Sequence, residues 1–268
     1  MKITISSPSE KMLAKIENGL GWITFNNPAR HNAMSMEMWQ ALAKILQQME
    51  QEESLRVVIL KGAGEKAFVS GADISEFEEK RSSQKQRDAY EHAFDQAQNR
   101  LAKFPQPVIS MIQGYCVGGG LALALNTDIR IASDDSRFAI PAARLGLGYG
   151  YASIKTLTSI VGPAFAKDIL FSARFIKTEE ALRIGLINRV VTRAQLMEKV
   201  LDSAITIADN APLTIKSVKA AVSEIVNDPS QSSHEEIERL VDACFLSDDY
   251  KEGRRAFMEK RQPVFKGS

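Results

Sequence analysis

The apolar pattern of this chain changes character once, and that change limits what it can fold into. As far as about residue 192, short β-branched or apolar runs alternate with helical spacings, and beyond it only helical spacing is found. Alternation of that kind builds sheets covered by helices, so the expected architecture is an α/β core over about 1–195 with a helical C-terminal segment over about 196–268. Strands are expected at 12–16 and 21–25 around an Asn18-Gly19 turn, then at 56–61, 67–70, 108–112, 128–132, 137–140 and 187–191. Helices are expected at 35–50, 83–104, 121–125, 152–160, 164–172 and 178–184, then at 195–210, 212–227, 232–248 and 249–260. In the first helix Met38, Leu42, Ile45 and Met49 share one face, with Ser35 as N-cap. The second stops at KFPQP, residues 103–107, because proline lacks an N–H and restricts its predecessor. The tail leaves Phe245, Phe257 and Phe265 as candidate exposed apolar groups, placed either on the core or on a neighbouring subunit.

Charge narrows the partners. With 34 Lys plus Arg against 33 Asp plus Glu, the 268-residue chain carries a formal charge of only +1. There is no global field to capture nucleic acid or an anionic membrane, so an anionic ligand must be held by local groups. No apolar run reaches the length of a membrane span, and MKITISSPSE lacks the apolar core of a signal peptide. Two cysteines, Cys116 and Cys244, make no disulfide framework. These features predict a cytoplasmic protein. His31, His92 and His234 have no partners at metal-ligand spacing, so no metal site is expected. Cys116 reads as a small buried residue rather than a nucleophile.

Two places run from a strand through glycine into a helix: FVSGADI at 68–74, and Gly118-Gly119-Gly120 before Leu121. Backbone N–H groups freed at a helix start, with no side chain in the way, suit an anion or an oxyanion. Two such sites supply two donors to one oxygen; either alone reads equally well as a tight turn. The triplet lacks the Lys-Ser/Thr of a phosphate-binding loop and the spacing of a dinucleotide fingerprint.

The segments GWITFNNPARHNAMS (21–35), FVSGADISEF (68–77), PVISMIQGYCVGGGLALALNTDIRIAS (107–133), FAIPAARLGLGYG (138–150), FSARFIKTEEALRIGLINRVV (171–191) and EGRRAFMEKRQPVFKG (252–267) resemble, in order, the enoyl-CoA hydratase/isomerase or crotonase superfamily. The resemblance implies a crotonase-like α/β fold, a spiral of ββα units with a C-terminal helical oligomerisation domain, assembled as a homotrimer or dimer of trimers. It implies acyl-CoA thioesters as substrates, with no cofactor beyond the coenzyme A that is part of the substrate. The two backbone donors that polarise the thioester carbonyl and hold its enolate fall at Ala72 and Gly119. Ala33, Gly71, Asp73, Ile74, Gly118 and Ala142 fall in the segments that line the substrate, although Asp73 by itself reads as a turn or cap residue. Arg30 and Lys260 match positions of basic groups near the CoA phosphates, and Phe257 an aromatic near the adenine; without the resemblance, both cations read as solvated surface charges.

The match departs from the hydratases at one point of chemistry. Their two glutamates correspond to Ala122 and Ala142, and an alanine neither transfers a proton nor positions a water. Ordinary two-glutamate hydration is therefore not expected. Arg144, Tyr149 and Tyr151 remain as polar groups near the acyl end. The LGLGY stretch at 145–149 is similar to family members that decarboxylate malonyl-type CoA esters, which have a Tyr at the place of Tyr149; on that reading Tyr149 would donate a hydrogen bond to the carboxylate and Arg144 would pair with it. Against that reading, decarboxylases of the family can carry a His where this chain has Ala72. A non-catalytic acyl-CoA-binding protein is the third reading.

Overall fold

The computed structural model describes residues 2–76, 82–226 and 234–268. Phe77, the helix end at 227 and the helix start at 232–233 lie outside the described residues.

Eleven strands are found among the described residues: β1 Lys2–Ile5, β2 Met12–Glu17, β3 Leu20–Phe25, β4 Val57–Gly62, β5 Ala67–Val69, β6 Val108–Ile112, β7 Tyr115–Val117, β8 Ile129–Ser133, β9 Arg137–Ala139, β10 Ile176–Lys177 and β11 Arg189–Val191. They form two sheets. The larger has the order β1-β2-β3-β4-β6-β8-β11, antiparallel through β3 and parallel from β3 onward. The smaller has the order β10-β9-β7-β5, in which β5, β7 and β9 run parallel. Asn18 and Gly19 both take positive φ, 52° and 79°, as a tight hairpin turn between β2 and β3 requires.

Helix α1, Met36–Met49, starts where Ser35 caps it, the Ser35 hydroxyl accepting from Met38 N at 3.3 Å. Helix α2, Gln84–Ala102, opens on a capping box between Ser83 and Gln86. Both pack on one face of the large sheet, burying Trp39, Leu42, Leu101 and Phe104 with Ile23, Val58 and Leu60. The other face alternates Leu20, Val57 and Ile59 outward, where Leu196, Val200 and Ala204 of α6 (Leu196–Ala208) cover them. The helix that begins the C-terminal segment is thus part of the sheet's packing.

Three sequence expectations need correction. The helix expected at 121–125 begins within the glycine triplet, and a strand that was not expected precedes it. Tyr115–Val117 is strand β7, and α3 starts earlier, at Gly119, ending at Leu125. The glycines around this three-residue strand hid it, and only pairing with β5 and β9 makes it a strand. The edge strands β1 and β10 were likewise too short to read. Phe265 is half-buried, with its ring against Gly253, whereas Phe245 and Phe257 are exposed as expected. The expected pair of helices at 152–160 and 164–172 is borne out: the span α4 (Tyr151–Ser172) is two helical stretches meeting at a non-helical Gly162 (φ 77°, ψ 163°) ahead of Pro163. A short helix, α5 (Thr178–Arg183), follows β10.

The remaining helices are α7 Pro212–Val226, α8 His234–Leu246 and α9 Asp248–Glu259. Lys219 ties α7 to the core through Asp128 Oδ2 at 2.7 Å and Gln106 O at 2.9 Å. The same carboxylate oxygen accepts from Val108 N at 2.7 Å, so Asp128 is a structural residue holding strand and helix together. The final residues fold back on α9, where Asp249 accepts from Lys266 N and Gly267 N at 2.7 and 2.8 Å. Among the described residues no helix is long and apolar enough to cross a membrane, and no cluster of three or more His, Cys, Asp or Glu side chains suits a metal ion.

Candidate active site

The candidate site lies at the carboxyl ends of three adjacent parallel strands. Val69, Val117 and Ala139 end β5, β7 and β9, which pair side by side. Each strand therefore delivers its following turn to the same edge: residues 70–73 after β5, Gly118 and α3 after β7, and the 3₁₀ turn Pro141–Leu145 after β9. Loops at such an edge meet with their backbones close together, which is where α/β sheets place ligands.

Gly118 stands at the meeting point. Its φ of 54° and the φ of 115° at Gly71 belong to glycine. A Cβ on Gly118 would lie 3.7 Å from Gly71 Cα and 4.0 Å from Pro141 Cδ, so all three turns touch there. Gly118 N donates to Ala139 O at 2.8 Å, fixing the turn to β9. On the other side, Met34 N donates to Gly71 O at 2.8 Å and Asp73 N donates to Met34 O at 2.9 Å. These bonds bracket Ala72, whose own N–H has no acceptor among the described residues. Gly119 is the first residue of α3, and its N–H has no intrahelical acceptor. Ala72 and Gly119 thus present free backbone donors from two touching turns. Asp73 accepts from Ser75 N and Oγ at 3.1 and 2.6 Å, the turn role expected of it, while Ile74 is exposed.

Asn32 is a residue that sequence reasoning missed. It is fully buried at a φ of 57°, and its amide donates to Ala63 O and Ala67 O at 2.9 and 2.8 Å while its oxygen accepts from Asn27 N at 3.0 Å. This clamp holds the loop that carries exposed Arg30 and buried Ala33 against the start of β5. Its signal was the Asn-rich turn itself, since Asn tolerates left-handed backbone. Glu76 was also missed: its Oε2 accepts from Met36 N at 2.9 Å and so caps α1 from the first glycine turn.

Ala122 is buried one helical turn beyond Gly119, and Ala142 is half-buried in the turn after Pro141. Tyr149 is half-buried, packs on the main core, and hydrogen-bonds to no described residue. Burial pushes its phenol well above the ordinary range, so it stays protonated and can donate. Arg144 and Tyr151 are exposed. Phe257 is 82% exposed at the end of α9, and Lys260 takes a φ of 54° just beyond it; neither hydrogen-bonds to the glycine turns. Cys116 is buried in β7 with its thiol pushed far up by desolvation, which makes it inert. His92 is on the exposed side of α2. A groove of about 880 Å³ lies elsewhere, between the outer face of the large sheet and α6, lined by Leu13, Trp22, Met197 and Ile205.

A mixed α/β architecture whose parallel strands bring these glycine turns into contact is the one found in crotonase-fold proteins. The solved enoyl-CoA hydratase/carnithine racemase from Magnetospirillum magneticum superposes with a TM-score of 0.91 at 35% identity, covering 98% of this chain and 97% of that one. The sequence pattern of the enoyl-CoA hydratase/isomerase family matches residues 15–268. This chain belongs to that family. Its relatives include the short-chain-enoyl-CoA hydratase of Clostridium acetobutylicum, 34% identical over 246 residues, 92% of this chain and 94% of that protein. They also include the methylmalonyl-CoA decarboxylase of Escherichia coli, 31% identical over 253 residues, 93% of this chain and 95% of that protein.

Proposed function

We propose that this protein is an acyl-CoA enzyme that holds a thioester enolate between the backbone N–H groups of Ala72 and Gly119. The observation that carries the reading is the pair of acceptor-free amides on turns that touch at Gly71 and Gly118. Such donors act on charge that develops in the transition state, and a fixed pair costs no reorganisation as the reaction proceeds. Arg30, Lys260 and Phe257 are the exposed groups that would meet the CoA phosphates and adenine, while Ala33 and Gly71 line the path of the thioester.

Within that reading, two observations favour decarboxylation of a malonyl-type ester over hydration. Both positions that match the hydratase glutamates are alanine, and the half-buried phenol of Tyr149, held protonated by its burial, has no hydrogen-bond partner among the described residues. Decarboxylation needs no base. The bond from the α carbon to the carboxylate breaks, CO₂ leaves, and the electron pair passes into the thioester to form the enolate. Tyr149 hydrogen-bonds the carboxylate, exposed Arg144 supplies the positive charge of the same segment, and the enolate then takes a proton at the α carbon.

Turnover on a panel of crotonyl-, methylmalonyl- and ethylmalonyl-CoA tests this. CO₂ release from a malonyl-type ester, reduced about tenfold or more in Tyr149→Phe, is the expected result. Hydration of crotonyl-CoA at rates typical of hydratases overturns the argument from Ala122 and Ala142. Binding of esters without turnover of any would make this a non-catalytic acyl-CoA-binding protein, and failure to bind any ester overturns the acyl-CoA reading itself. The exposed Phe245, Leu246, Phe257 and Met258 of the C-terminal helices support a homotrimer or dimer of trimers, and a monomeric mass in solution would rule that out.

A further inference from the structure

We propose that Gln98 is the polar contact for the acyl group, its side-chain Nε2 donating to an oxygen of the substrate's acyl part beside Ala122. The inference rests on the acyl-CoA reading above. Gln98 lies on α2 and is only 6% exposed. Its Oε1 accepts from Asn126 Nδ2 at 2.9 Å, and that same Nδ2 donates to Ala122 O at 3.3 Å. Asn126 thereby fixes which end of the Gln98 amide is oxygen. The other end, Nε2, is buried with no acceptor among the described residues. A buried donor in that state has lost its hydration without gaining a partner, and such groups in folded proteins call for a specific explanation.

The placement supplies one. On α3, Gly119 and Ala122 fall three residues apart, with Asn126 at its C-cap continuing the same face. On α2, Phe94 and Gln98 are one turn apart. The Phe94 ring comes within 4.0 Å of the point where a Gly119 Cβ would stand, and Gln98 is bonded to Asn126. The two rows therefore face each other at both ends, and Ala122 lies between the two contacts. An acyl group whose carbonyl sits on the Gly119 N–H would run along this side of α3. Trp39 and Phe94 wall it, packed edge-on at 4.9 Å, with Trp39 Cζ2 3.4 Å from the Gly119 Cβ position. Only a methyl group occupies position 122; on the same wall the Trp39 indole N–H already donates to the Tyr90 hydroxyl at 2.9 Å, whereas the Gln98 amide N–H has no acceptor among the described residues.

A neutral donor selects by what it can receive. A hydroxyl or, more strongly, a carboxylate on the α or β carbon of the acyl group accepts from Nε2, and a plain alkyl chain offers nothing. The substrate class is therefore CoA thioesters of short, oxygen-bearing acyl groups.

Binding of methylmalonyl-CoA, 3-hydroxybutyryl-CoA and butyryl-CoA to the whole protein, measured by calorimetry, tests the contact. In Gln98→Leu the Kd for the two oxygen-bearing esters is expected to rise about tenfold or more, with butyryl-CoA changed less than about twofold. Gln98→Glu removes the donor and adds a negative charge, so it should weaken methylmalonyl-CoA more than 3-hydroxybutyryl-CoA. It also serves if the leucine variant does not fold. Equal weakening of all three esters would make Gln98 a packing residue, and no change in any would remove it from the site; either overturns the proposal. If the unaltered protein binds none of the three, the acyl-CoA reading falls and this contact with it. If it binds all three and only the pattern in the variants fails, the contact alone falls.

Discussion

Gly119→Pro is expected to lower kcat by about 10²–10³-fold on whichever CoA ester the unaltered protein turns over, with the fold intact. That loss corresponds to about 2.7–4 kcal/mol, the usual effect of removing one oxyanion donor. The position makes proline an unusually clean probe. Gly119 is the first residue of its helix, where proline is favoured and the missing N–H breaks no helical hydrogen bond. Gly118, the residue before it, has φ 54° and ψ −118°, outside the helical region that a following proline disfavours. Gly119→Ala is the control. It keeps the N–H, and its Cβ meets Trp39 Cζ2 at 3.4 Å, so kcat should remain within about tenfold of the original, the equivalent of about 1.4 kcal/mol. Steady-state kinetics with circular dichroism on both variants checks the pair. A folded proline variant with unchanged kcat would show that the Gly119 amide does not bear on the reaction.

Gly120→Ala should lower stability by about 3 kcal/mol or more. A Cβ there would lie 2.2 Å from Val69 O and 2.7 and 2.8 Å from Val69 Cβ and Cγ1. The nearest obstacle is a backbone oxygen at the end of β5, which cannot rotate aside as a side chain would. Relief requires lifting α3 off the strand, and this separates Gly119 from the turn that carries Ala72. Melting temperature and activity should therefore fall together, the former by about 6–12 °C in a chain of this size. A melting temperature within a degree or two of the original would mean that α3 does not rest on β5 as closely as described.

These substitutions sit where the sequence was most and least informative. The strand Val108–Ile112 is an apolar run, broken only by Ser110, between proline and a Gly turn, and it was legible to the residue. So was the cap at Ser35, which announces a helix through a local side-chain bond that needs no distant partner. Strand β7 was not legible, because three residues between glycines carry no period, and pairing with β5 and β9 alone makes them a strand. The site followed the same division. The glycine turns and the alanines at 122 and 142 were visible as residues, but Asn32 and Glu76 were not, because each acts on backbone far along the chain.

The sequence by itself determined the alternation of elements, the turn chemistry at Gly71 and Gly118–Gly120, and the absence of the two carboxylates that hydration uses. All of these are encoded within a few residues of where they act. Only the tertiary structure decided that the two turns touch, that the amides of Ala72 and Gly119 are left without acceptors among the described residues, and that Gln98, bonded to Asn126, keeps a buried donor unpaired there. The reason is that parallel strands pair across long connections. Which turns share a sheet edge, and which buried groups find partners, depends on contacts between residues that no local pattern relates.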